Sequence, residues 1–113
     1  MTMELRKFGK RDIPDLFSWF NTERDVLQWA GAALSWPLKR REFIDLIKQH
    51  RGPTPQREVW SVMQDGRIIG HFQIGLNRRL RTAGLGRIAL SPSARGLKLS
   101  EPLMELIVER AFS

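Results

Sequence analysis

The stretch Gly86-Arg87-Ile88-Ala89-Leu90-Ser91-Pro92-Ser93-Ala94-Arg95-Gly96-Leu97-Lys98-Leu99-Ser100 decides how the rest of the chain is read. Leu85 to Ser91 reads as a strand, and a short basic loop follows it. Ser100 is placed to cap a final helix whose apolar residues include Leu103, Met104, Ile107, Val108 and Ala111. A strand that runs through such a loop into a helix N-terminus makes an anion site. Unpaired backbone N–H groups point outward there, and the helix dipole adds roughly half a positive charge. Arg95 and Lys98 add two full charges beside it.

Upstream of the stretch the chain alternates as strands do. Asp65-Gly66 carries the turn chemistry of a type I′ hairpin. The strand before it runs from Val59 to Gln64, and Ile68, Gly70, Phe72, Ile74 and Leu76 share one face of the strand after it. Further back the period becomes helical. Asp12 reads as an N-cap with Pro14 in the first turn, and Leu16, Phe17 and Phe20 form a buried stripe. Thr22-Glu23-Arg24-Asp25 has the form of a capping box before a short helix through Val26, Leu27 and Trp29, broken near Gly31. Pro37 opens a third helix with Phe43, Ile44 and Ile47 inward and Leu46 near its edge, stopped by Arg51-Gly52-Pro53-Thr54-Pro55. Met3 to Phe8 is a first strand. No repeat or linker divides residues 1–113, so they are expected to form one domain.

Nineteen basic residues against 12 acidic ones give a formal charge of +7. The excess is confined to residues 67–100, where Arg67, Arg78, Arg79, Arg81, Arg87, Arg95 and Lys98 meet no acidic residue. One-signed charge inside an otherwise balanced domain points to an anionic partner. The chain has no cysteine, which excludes disulfides, thiolate nucleophiles and Cys-based zinc sites and suits a reducing cytoplasm. Neither histidine has a carboxylate at ligand spacing, so no metal is expected. No stretch approaches the ~20 apolar residues of a membrane span.

On these residues the chain resembles the GNAT family of acetyl-CoA-dependent N-acetyltransferases. Leu90-Ser-Pro-Ser-Ala-Arg95-Gly96 resembles that family's fourth strand and the start of its pyrophosphate loop. The family pattern Q/R-x-x-G-x-G/A sets Arg95 at its first position, Lys98 where the family has glycine, and Ser100 at the final small residue. Gln28-Trp29-Ala30-Gly31, Trp36-Pro37-Leu38 and Gly70-His71-Phe72 resemble segments of the ribosomal-protein-type members. The resemblance implies an α/β (α+β) fold, a mixed but mainly antiparallel sheet with flanking helices. It covers the first two-thirds of such a domain and ends after the helix that follows the loop. The fifth strand and the tyrosine that many members use as general acid are not in this chain, which has no tyrosine.

The resemblance further implies acetyl-CoA as co-substrate. Its binding residues would be Ala89 and Leu90 on the fourth strand, with Arg95, Gly96, Leu97, Lys98, Leu99 and Ser100 in the loop. The acceptor would be an amine, a protein N-terminus or a small molecule, and no catalytic base is assigned. His71 titrates in the range of a base, although a half-exposed strand histidine most often serves structure; Gln73 lies on the same face. Trp29 and Trp36 are candidates for an acceptor pocket, while Arg78, Arg79 and Arg81 belong to a solvated hairpin loop that steers anions. Two other functions compete: a non-catalytic relative that binds CoA or a second copy of itself, and a basic nucleic-acid module. The last has charge but no recognised motif behind it.

Overall fold

Four strands form the centre of the protein, here a computed structural model describing residues 3–31, 34–52, 54–77, 79–95 and 99–111. They are β1 (Met3–Lys7), β2 (Arg57–Gln64), β3 (Arg67–Asn77) and β4 (Thr82–Leu90). Each is antiparallel to its neighbour, in the order β1-β2-β3-β4. Helices α1 (Ile13–Ser18), α2 (Glu23–Ala30) and α3 (Arg40–Gln49) precede β2, and α4 (Ser100–Ala111) follows β4. This is the expected α/β class.

Strand alternation divides the core in two. Val59 and Ala89 pack with Phe8, Ile13, Leu16 and Phe43 beneath α1–α3. Val62, Phe72 and Ile74 pack with Leu103 and Ile107 of α4 on the opposite face. Asp65 and Gly66 have φ of 52° and 77°, both positive as a type I′ turn requires. One residue too many in β3 then shifts the pairing, from Val62↔Gly70 to Met63↔Ile68. The bulge corrects one expectation. Ile68 packs under α1–α3 while Ile69 joins the α4 side, because one extra residue reverses every side chain beyond it.

Other boundaries moved for local reasons. β4 begins at Thr82, three residues early, and its first four side chains are exposed, which removes the alternation that would reveal it. α3 begins at Arg40, not Pro37. Its buried residues are Phe43, Leu46 and, just beyond it, His50, with Ile44 and Ile47 only partly covered. The face is set by docking: Phe43 meets the rings of Phe8, Phe17 and Trp29. Nδ1 of His50 accepts the Val59 N–H at 3.1 Å. Burial lowers the His50 pKa. Thr22 caps α2 through Oγ1, which accepts the Asp25 N–H at 3.2 Å, but the Asp25 carboxylate reaches back to the N–H of Asn21 instead of Thr22. The Leu99 carbonyl accepts the Leu103 N–H at 2.9 Å, so Leu99 holds the cap position of α4 and Ser100 is its first helical residue. Leu103 and Ile107 are buried, whereas Met104 and Val108 remain exposed on α4.

Asp12 does not cap α1. Its carboxylate is buried, paired with Arg6, and accepts from the Gly9 N–H at 3.0 Å and the Ser61 hydroxyl at 2.9 Å. Asp12→Ala strands all three donors, one of them charged, and is expected to cost about 3 kcal/mol in urea unfolding. A loss below ~1 kcal/mol, the range of a surface pair, would show that the cluster is not a unit.

Candidate active site

Among the described residues β4 is the edge strand of the sheet, and its ladder to β3 is interrupted. The pairing runs from His71↔Ala89 to Gln73↔Gly86, so β4 carries one residue more than β3 across this step. Arg87 takes it up with φ of 51°, in the left-handed region. The bulge is pinned from α2, whose Trp29 indole N–H donates to the Arg87 carbonyl at 2.9 Å. Trp29 is held in turn by Phe20, stacked with ring centroids 4.5 Å apart.

Beyond the bulge Ile88, Ala89 and Leu90 form one wall of an open cavity of 430 Å³. Trp19, Phe20, Asp25 and Trp29 stand across from them. The Ser91 N–H donates to the Ile69 carbonyl on β3 at 2.8 Å. By the alternation of an antiparallel ladder the Ala89 N–H also faces β3, and the Leu90 N–H faces outward. Ala89 turns its methyl group into the α1–α3 core. The Leu90 carbonyl accepts from Arg95 Nε at 3.1 Å. Arg95 follows a tight turn in which the Ala94 and Arg95 N–H groups both donate to the Ser91 carbonyl. Gly96, Leu97 and Lys98 lie outside the described residues, as do Arg78 and the side chain of Ser100. Leu99 is partly buried against the α4-side core.

The other candidates separate clearly. His71 is not half-exposed but wholly buried, edge-on to Phe8 and Trp29. Burial, and then the Arg87 charge, push its pKa down to about 3. It is neutral at pH 7 and closed to solvent, which suits packing and removes it as the base. Gln73 is also buried; its Nε2 lies 3.1 Å from His71 Nε2, and its Oε1 accepts from Arg57 Nη1 at 3.1 Å. Trp36 is 40% exposed and away from the cavity, whereas Trp29 lines it. Arg79 and Arg81 lie in the turn before β4, exposed as expected. No group of three His, Cys, Asp or Glu residues among those described could hold a metal. No described helix is long and apolar enough to cross a membrane.

Two cavity residues of α2, Asp25 and Gln28, were not singled out for the site in the sequence, whereas Trp29 was. Asp25, Gln28 and Trp29 share one face of α2 at helical spacing, but the capping pattern accounted for Asp25 and hid its second aspect.

Solved structures of known proteins share this fold. A spermidine N-acetyltransferase from Vibrio cholerae, solved with CoA and spermine, superposes with a TM-score of 0.74 at 18% identity. The match covers 97% of this chain and 63% of that one. The aminoglycoside acetyltransferase AAC(6')-Ib, solved with parmomycin and acetyl-CoA, gives 0.71 at 21% identity, over 99% of this chain and 67% of that one. An IAA acetyltransferase from Bacillus cereus gives 0.56 at 16% identity, over 97% and 58%. The chain thus spans a little under two thirds of the spermidine enzyme's length. Residues 15–113 match the acetyltransferase (GNAT) family throughout, and the chain belongs to that family.

Proposed function

We propose that residues 1–113 form one acetyl-CoA-binding unit that transfers acetyl groups to an amine, with Leu90 as its central contact. The observation that carries this reading is the outward Leu90 N–H on the edge strand of the described sheet, set beyond a pinned bulge beside the 430 Å³ cavity that Leu90 lines. An unpaired strand edge accepts an extended arm by adding a strand, as a pantetheine chain would require. The residues therefore fit acetyl-CoA, which supplies the activated acetyl group when bound. Arg95 and the basic loop after it attract its phosphates. The Leu90 amide is a fixed donor for a thioester carbonyl, the kind of preorganised dipole that stabilises developing negative charge. Asp25 is the carboxylate that lines the cavity, and it draws the ammonium form of the acceptor and takes up its proton. The spermidine and aminoglycoside enzymes of this fold act on amines.

Leu90→Pro removes that single donor at a position where the edge tolerates proline. It is expected to lower kcat about 100-fold, the magnitude for an oxyanion donor, while the chain stays folded. Acetyl-CoA binding by calorimetry and mass detection of acetylated amines are the measurements. Wild-type protein that binds no acetyl-CoA, or a proline variant as active as wild type, would sink the reading. The exposed Met104 and Val108 on α4, together with the open β4 edge, favour a second reading as a self-associating binding module. Light scattering that shows a monomer at all concentrations would remove it.

A further inference from the structure

On the same helix-covered face, toward the beginning of β4, a second cavity of 740 Å³ opens. Arg57 and Arg79 line it together with Gln49, Gln56, Asn77 and Thr82, and none of its described lining residues is acidic. Arg57 is fixed in place: Nε donates to Gln49 Oε1 and Nη1 to Gln73 Oε1, each at 3.1 Å. Arg87 Nη1 comes within 3.5 Å of the same Gln73 oxygen. Two guanidinium groups therefore share one neutral carboxamide oxygen, and among the described residues neither forms a salt bridge. Glu42 acts on Arg87 only at longer range, and its Oε1 accepts the Ser35 N–H. Partly buried cations are ordinarily paired. Here no carboxylate among the described residues contacts either guanidinium, and burial and the neighbouring Arg57 lower the Arg87 pKa more than the distant Glu42 raises it.

We propose that this cavity receives an anionic group, a carboxylate or a phosphate, carried by the amine acceptor itself. The inference rests on the acetyl-transfer reading and names the acceptor class for that site. Gly84 lines this cavity and Ala89 lines the first, and their partners Gly75 and His71 lie four residues apart on β3. At roughly 3.3 Å per residue the two are separated by about 13 Å. Asp25 stands in one and Arg57 and Arg79 in the other. A molecule with an ammonium group at one end and an anion on the order of 10 Å away matches both charges. A polycation is disfavoured, because its further ammonium groups meet arginines.

The test is calorimetric titration of the full chain at low salt with succinate, with inorganic phosphate, and with spermine. One or both anions are expected to bind, the stronger of them identifying the group, and spermine is not. Arg57→Gln and Arg79→Gln are each expected to weaken anion binding about tenfold, as loss of a charge-assisted contact does. Arg79 is exposed in a turn, so its variant reports even where Arg57→Gln unfolds the chain. No anion binding by wild type, equal binding by both variants, or spermine bound as well as the anions overturns the proposal. Acetyl-CoA titrated in parallel separates the two readings. A chain that binds acetyl-CoA but neither anion loses the anionic acceptor and keeps acetyl transfer. A chain that binds the anions but not acetyl-CoA keeps the cavity's anion site and loses acetyl transfer.

Discussion

Trp29→Ala is expected to cost about 3 kcal/mol of stability and to abolish acetyl-CoA binding, although the residue is only half buried. Three rings depend on it. Phe20 stacks on it at 4.5 Å, Phe43 lies parallel at 6.2 Å, and His71 meets it edge-on at 5.6 Å. Its indole N–H also satisfies the Arg87 carbonyl, which the bulge turns away from its own ladder. Trp29→Phe separates these roles. It keeps most ring contacts but leaves the carbonyl unpaired, at an expected cost of about 1–2 kcal/mol. Because the bulge sets where Ile88 and Leu90 sit, acetyl-CoA affinity should fall in the phenylalanine variant far more than its stability does. Urea unfolding and titration calorimetry measure the two effects. Proportional losses in both variants would mean that Trp29 acts through packing alone.

Lowering the pH from 7 to 5 is expected to remove about 2 kcal/mol of stability through His71. The folded-state pKa of about 3 lies below the unfolded value of 6.5. The unfolded chain therefore takes up the proton first. His71's contribution is complete above about pH 6.5 and is lost progressively as pH falls toward 3. Its Nδ1 finds no partner among the described residues, and the Arg87 charge adds to the cost of protonation. His50 is shifted the same way by burial and steepens the slope. For Glu58, burial raises the carboxyl pKa, but hydrogen bonds from Arg110 and Trp60 outweigh it and leave it lowered. That pair holds α4 to β2 and fails only at more acid pH. His71→Gln keeps a polar group beside Gln73 without a titrating ring. Unfolding followed from pH 7 to 5 should lose most of its slope in this variant; an unchanged slope would assign the acid lability elsewhere.

The most legible features were those that neighbouring residues determine. Asp65-Gly66 specified its own turn, because few residues enter positive φ twice in succession. The order of strand, basic loop and helix around Arg95 was readable for the same reason, and it led to the family. Less legible was any feature that depends on register. Ile68 and Ile69 exchanged faces through a single bulged residue, and no local pattern announces a bulge between apolar neighbours. His71 was expected to be half-exposed because its burial comes from Phe8 and Trp29, residues remote in the sequence.

The amino-acid sequence by itself determined the α/β class, the order of its elements, the family, and the concentration of positive charge in residues 67–100. The class, the element order and the charge follow from periodicity and composition, and the family from the resemblance of the motif around Arg95, all of which are local. Only the tertiary structure decided which groups meet. It turned the Leu90 amide outward and gathered Arg57 and Arg87 around Gln73. It also divided Asp25 from the arginines by the length of half a strand. Those juxtapositions join β2, β3, β4 and α2. They arise from long-range pairing and packing, whose energies no single segment carries.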